Sequence, residues 1–185
     1  MFYVDDALVI SDWGEDIIRN EPGKCFYIKE ESIGEPTLYL GNKVTKVELE
    51  NGISAWSFSS SQYVQAAVGN VENQLKDQGS SLPTRCSSPI ARNYRQDIDI
   101  SPELGVSDAA YYQSLIGILR WIVELGRVDI TTEVSMLSSC MALPRKGHLE
   151  QLYHIFSYLK SKHNSEMVFD PTKLDIRWED FEKED

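Results

Sequence analysis

Asp5 and Asp6 are adjacent carboxylates inside an apolar, strand-prone run, with Phe2-Tyr3-Val4 before them and Ala7-Leu8-Val9-Ile10 after. Burying an unpaired carboxylate costs several kcal/mol or forces it to take up a proton, so such a run keeps two acids only where they are exposed or neutralised. The aromatic and β-branched flanks favour strand, whereas Asp-Asp between them favours a tight turn. Together they predict a β-hairpin with both carboxylates at its tip. A hard divalent cation suits that arrangement, because Mg²⁺ takes carboxylate oxygens together with substrate phosphates. An ordinary solvent-facing turn contains the same residues, so the pair alone does not decide.

The elements that must position this hairpin follow from periodicity and punctuation. Ser11-Asp12 is a cap for a short helix over 13–20, ended by Pro22-Gly23, and residues 25–28 read as a strand. Residues 38–49 read as a second strand with Gly41 as a bulge inside it, Asn51-Gly52 as a hairpin turn, and 53–58 as the return strand. Ser59 with Gln62 makes a capping box for a helix carrying Tyr63, Ala67, Val71 and Leu75, closed by Gly79. Residues 79–106 carry Pro83, Pro89 and Pro102 without periodicity and read as a linker or strap. Ser107 caps a helix with Tyr112, Leu115, Ile116, Leu119, Ile122 and Val123 on one face, which ends at Gly126. Asp129 caps a third helix that ends at Pro144. A fourth runs over 146–162 with Leu149, Leu152, Ile155, Phe156 and Leu159 aligned, and residues 167–169 form a short strand.

The string FYVDDALVI resembles the catalytic box of reverse transcriptases, an aromatic-X-Asp-Asp turn between apolar strands. Further elements are similar to those of copia-type LTR retrotransposons, in the same order. Tyr39-Leu40-Gly41 resembles "FLG", residues 112–121 resemble "YRSLIGSLRYL", Arg127-Val128-Asp129-Ile130 resembles "RPDI", and residues 148–160 resemble the helix that follows. The resemblance implies that Asp5 and Asp6 are the catalytic, metal-binding acids for Mg²⁺ or Mn²⁺, with Asp5 the direct ligand. It implies that Tyr3 presses on the primer–template duplex, that Val4 fills the turn, and that Tyr39, Leu40 and Gly41 hold the primer end. Lys29 stands where the family has a lysine, and its implied role is general acid toward pyrophosphate. The implied partners are an RNA template, a DNA primer, the upstream palm and fingers segment and a ribonuclease H domain. The implied location is cytoplasmic, in virus-like particles. Departures from the pattern are Val128 for proline and Leu149 for tryptophan. The sequence starts at the box, so the expectation is a C-terminal fragment without the fingers and the third carboxylate, inactive alone.

Composition narrows the alternatives. With 185 residues and 42% apolar content the chain can bury a core. No apolar run is long enough to span a bilayer, and Met1-Phe2-Tyr3-Val4-Asp5 is not a signal peptide. The three cysteines and three histidines have no metal-ligand spacing, and no Gly-rich phosphate loop or nucleophile elbow is present. A net charge of −11 opposes binding of nucleic acid by bulk electrostatics. The acids crowd both ends, while residues 111–170 balance six acids with six bases, among them Arg120, Arg127, Lys160 and Lys162 as phosphate contacts or solvated helix faces.

The fold expected is α+β: half of a polymerase palm over 1–58, a thumb helix and Pro/Ser linker over 59–106, a helical connection over 107–170 and an acidic tail over 171–185. The activity expected of the family is RNA-directed DNA polymerisation. The alternative is a non-catalytic nucleic-acid-binding or decayed structural remnant of a mobile element.

Overall fold

Three amphipathic segments build the larger half of the molecule. The computed structural model describes residues 2–3, 6–84 and 86–172, with residues 2, 3 and 6 as backbone only. Within it, α3 (Ser61–Asp77), α4 (Val106–Glu124) and α6 (Lys146–Ser161) turn their apolar stripes inward, and α5 (Thr131–Ser138) packs on α4. Val64, Val68, Leu115, Leu119, Ile155 and Phe156 meet in one buried cluster, as a 3.6-residue repeat requires.

The smaller half is antiparallel. A two-stranded hairpin, β1 (Phe2–Tyr3) and β2 (Asp6–Ala7), opens the chain. The short helices α1 (Gly14–Asn20) and α2 (Pro22–Cys25) follow. A four-stranded sheet then runs in the order β3 (Leu38–Tyr39), β4 (Asn42–Glu48), β5 (Ser54–Ser59), β6 (Glu166–Phe169). β6 returns from beyond the last helix to pair with β5, Trp56 opposite Phe169 and Ser59 opposite Glu166. The class is therefore α+β, and strands from both ends of the chain share one sheet. Gly52, with φ 77°, turns β4 into β5 as the Asn-Gly pair predicts.

Several local expectations change. Residues 26–28 form no strand. Phe26 and Tyr27 are exposed, Tyr27 at 93%, and among the described residues no neighbouring strand offers them hydrogen bonds or a covered face. α1 ends at Asn20, before Pro22 as expected, and Pro22 also opens α2, where its missing N–H costs nothing. In the Ser59-Ser60-Ser61 run the cap falls on Ser60, and its side chain makes no capping bond. α4 starts one residue before Ser107, with Gly105 as its cap. Gly41 is not a bulge. Leu40 and Gly41, at φ 50° and 85°, are the two loop residues of a tight β3–β4 hairpin in which Tyr39 pairs with Asn42. Positive φ at both loop positions is the type I′ signature, and leucine is an unusual occupant.

The 79–106 segment is a strap along α6. Leu82 and Cys86 anchor its first part. The Ser157 hydroxyl donates to the Pro83 carbonyl, and the Gln151 side chain accepts the Ala91 N–H at 3.1 Å. Its far end forms a β-bridge between Glu103 and Arg145 at the start of α6.

Candidate functional site

The hairpin fixes the register of the strands on either side of Asp5. Tyr3 pairs with Asp6 and Phe2 with Ala7, which puts positions 4 and 5 between the paired residues. Val4 and Asp5 lie outside the described residues, and of Tyr3 and Asp6 only the backbone is described. Two residues past Asp6, Leu8 is buried against Tyr39, Val44 and Phe58. That contact ties the strand leaving the acidic turn to the four-stranded sheet.

Tyr39 is 6% exposed, with its ring 6.2 Å from that of Phe58, which in turn meets Phe169 edge-on at 4.8 Å. Tyr39 is thus a core aromatic that props up the hairpin tip. Gly41 is the exposed member of the Tyr39-Leu40-Gly41 element, Leu40 is half-buried, and a side chain at Gly41 would point into open space. The acidic hairpin and the Leu40–Gly41 tip therefore share one small apolar cluster through Leu8 and Tyr39. Lys29 does not join them. It is exposed in a loop, where its carbonyl accepts the Ser32 N–H at 2.9 Å.

Beside this cluster lies a cleft of about 340 Å³ floored by Val44, Trp56 and Phe58. Its rim carries Asp12, Glu15, Glu35 and Lys46. Lys46 is paired with Glu35 and sits 4.9 Å over the Trp56 ring. Three carboxylates against one ammonium repel phosphate, so this cleft is ill suited to a triphosphate. Among the described residues no group of three His, Cys, Asp or Glu side chains is placed to hold a metal. The donors in question at the hairpin are oxygens of adjacent carboxylates, which is the chemistry Mg²⁺ and Mn²⁺ prefer.

The chain is 30% identical over 160 residues to the putative transposon Ty5-1 protein YCL074W of Saccharomyces cerevisiae. It resembles a mobile-element protein. The match covers 85% of this chain and 47% of the yeast protein, so the chain spans about half the length of the curated relative it matches. The likeness supports a mobile-element origin. No protein-family model matches the chain, and no solved structure matches it. Among the described residues no helix is long and apolar enough to cross a membrane.

Arg127 does not face phosphate or solvent. Its side chain is 2% exposed, and its Nε and Nη2 each donate at 2.8 Å to the two Asp129 oxygens. The Tyr158 hydroxyl adds a third donor at 3.0 Å. Burial pushes the Asp129 carboxyl up, but the Arg127 and Tyr158 hydrogen bonds and the Arg127 charge together hold it below the usual range. Asp129 therefore locks the turn between α4 and α5 rather than capping a helix. The spacing Arg-X-Asp after a helix-ending glycine is the signal that points to such a lock.

Proposed function

We propose that the chain is part of a copia-type retrotransposon reverse transcriptase, with Asp5 and Asp6 as its metal-binding acids. The observation that carries the reading is the hairpin register. Tyr3 and Asp6, the first and last residues of the aromatic-X-Asp-Asp string, pair antiparallel, and this supports the reading. The similarity to a transposon protein supports the same origin.

In this reading, Asp5 and Asp6 would hold Mg²⁺ or Mn²⁺, which would supply activation of the primer 3′-hydroxyl and charge neutralisation on the transferring phosphoryl group. Asp5 ligates directly and Asp6 tunes the site from the next position. Tyr3 and Val4 shape the surface against the RNA template and DNA primer, and the Leu40–Gly41 tip, held from below by Tyr39, positions the primer end. Lys29, exposed in its loop and outside the hairpin cluster, is the general acid toward pyrophosphate only by the family resemblance. Two carboxylates do not complete an octahedral site, so the third ligand and the triphosphate pocket come from the palm and fingers segment of a longer polyprotein. That polyprotein also carries a ribonuclease H domain and works in cytoplasmic virus-like particles.

The test is primer extension on an RNA template. The purified 185-residue chain should give none. Fusion to an upstream palm-and-fingers segment from the same element should give extension that Asp5→Asn abolishes. A fusion whose extension is indifferent to Asp5→Asn would sink the assignment. Extension by the chain alone would sink its dependence on the upstream segment. Salt-sensitive duplex binding that survives loss of both acids, without extension by the fusion, would favour the non-catalytic remnant.

A further inference from the structure

We propose that the strap is a hinged cover that opens as a unit from the first turn of α6 while the helical core stays folded, and that the latch is Asp99 seated over Gly147. Between its anchors the strap's apolar hold is slight, with Tyr94 half-buried against the helical core. No residue from 87 to 103 is buried, and Ile98 and Ile100 point into solvent. The rest of what holds this stretch is polar and local. The Asp99 oxygens accept the Ser101 N–H at 2.8 Å and the Tyr94 hydroxyl at 2.9 Å, which folds the strap into a compact knot. That knot docks by a few bonds at one end of one helix. The Gly147 N–H donates to the Ser101 hydroxyl at 2.8 Å, Arg145 donates to the Ser101 carbonyl at 2.7 Å, and the Lys146 N–H donates to the Pro102 carbonyl at 2.9 Å.

The fit is tight at a single point. A Cβ on Gly147 would overlap the Asp99 carboxylate, its carboxyl carbon lying at 2.8 Å. Glycine costs a helix interior about 1 kcal/mol relative to alanine, so its presence in the first turn of α6 is a local loss that makes room for the carboxylate. The strap's bonds are half-buried but few, and segments with few apolar contacts open below the global unfolding free energy. Opening here uncovers His148 and Gln151, which face the strap, together with the free N–H groups of the α6 N-terminus. The hinges are the Leu82–Cys86 anchor on one side and Leu104, packed against the core, on the other.

Arg92 and Arg95 are exposed on the strap and supply a direct readout, since trypsin cleaves after each once the backbone is free. In the full chain under native conditions, strap amides should exchange about tenfold or more faster than those of α4, by openings insensitive to low denaturant. Gly147→Ala should wedge the latch, raising cleavage at Arg92 and Arg95 by about tenfold without lowering the thermal midpoint. Asp99→Gly in the same chain removes the overlap and should return cleavage to the level of Asp99→Gly alone. Strap amides that exchange only by global unfolding in the unaltered protein would overturn the proposal. So would a Gly147→Ala chain that melts normally and is cut no faster.

Discussion

Removing the Asp129 carboxylate tests how the α4–α5 junction is held. Asp129→Ala leaves the Arg127 guanidinium 2% exposed with neither of its two close acceptors, and Nη1 already has no partner among the described residues. Stranding a buried charge costs about 3–5 kcal/mol. The Asp129 side chain is 33% exposed, so water reaches one side of the pair and the lower end, about 3 kcal/mol, applies. For a chain of this size that is a fall of roughly 6–12 °C in Tm. The assay is urea unfolding by circular dichroism at pH 7 and at low pH. Asp129 has a lowered folded-state affinity for protons, so its contribution is fully present above the unfolded carboxyl value of about 4 and fades as pH drops through the folded one. The variant's deficit should therefore shrink below about pH 4. Arg127→Met with Asp129→Ala should recover most of the loss, because the pair is then absent rather than half-broken. A single-variant loss under about 1 kcal/mol, or a deficit unchanged in acid, would refute the reasoning.

Other outcomes follow from the same structure. Leu119→Ala, at a fully buried position between helices, should cost about 2–5 kcal/mol in a denaturant melt. Gly41→Ala, at φ 85° with open space around it, should cost about 1–2 kcal/mol from backbone strain alone, measured the same way. Calorimetry should find no saturable Mg²⁺ or Mn²⁺ binding in the micromolar range for the isolated chain; tight binding lost in Asp5→Asn would show a more complete acidic site.

The helices were legible because their information is periodic. The stripe through Tyr112, Leu115, Ile116 and Leu119 specifies a face without reference to any other part of the chain, and that face is buried. Caps were legible only to within a residue or two, since three successive serines before α3 are chemically interchangeable as starts. The apolar run at 25–28 misled because a strand is defined by a partner, and among the described residues none lies beside Phe26 and Tyr27. The acidic pair is written in adjacent residues, but the backbone pairs Asp6 with Tyr3, so Asp6 belongs to β2 rather than to the turn at the tip, where the Asp-Asp pattern predicts it. The support of that turn is not local: Leu8 meets Tyr39, Val44 and Phe58 across a fold that the spacing of these residues does not encode. The same holds for Gly147 and Asp99, whose fit exists only once the strap crosses α6.

The pairing of β6 with β5 sets the order in which a ribosome can deliver this fold. Residues 61–161, with α3 to α6, form a continuous stretch whose mutual contacts are complete once α6 has packed on α3 and α4. Trp56 must wait for Phe169, more than a hundred residues later, before β5 gains its second neighbour. Until then the growing polypeptide carries a sheet with an open edge at Trp56 and Phe58, the kind of surface that recruits other strands. Closing so long a loop late is affordable in entropy, since the cost grows only with the logarithm of its length. A ribosome that stalls after α6 therefore releases a folded helical body with a sticky β-edge, and release of the last few residues is the step that makes it safe.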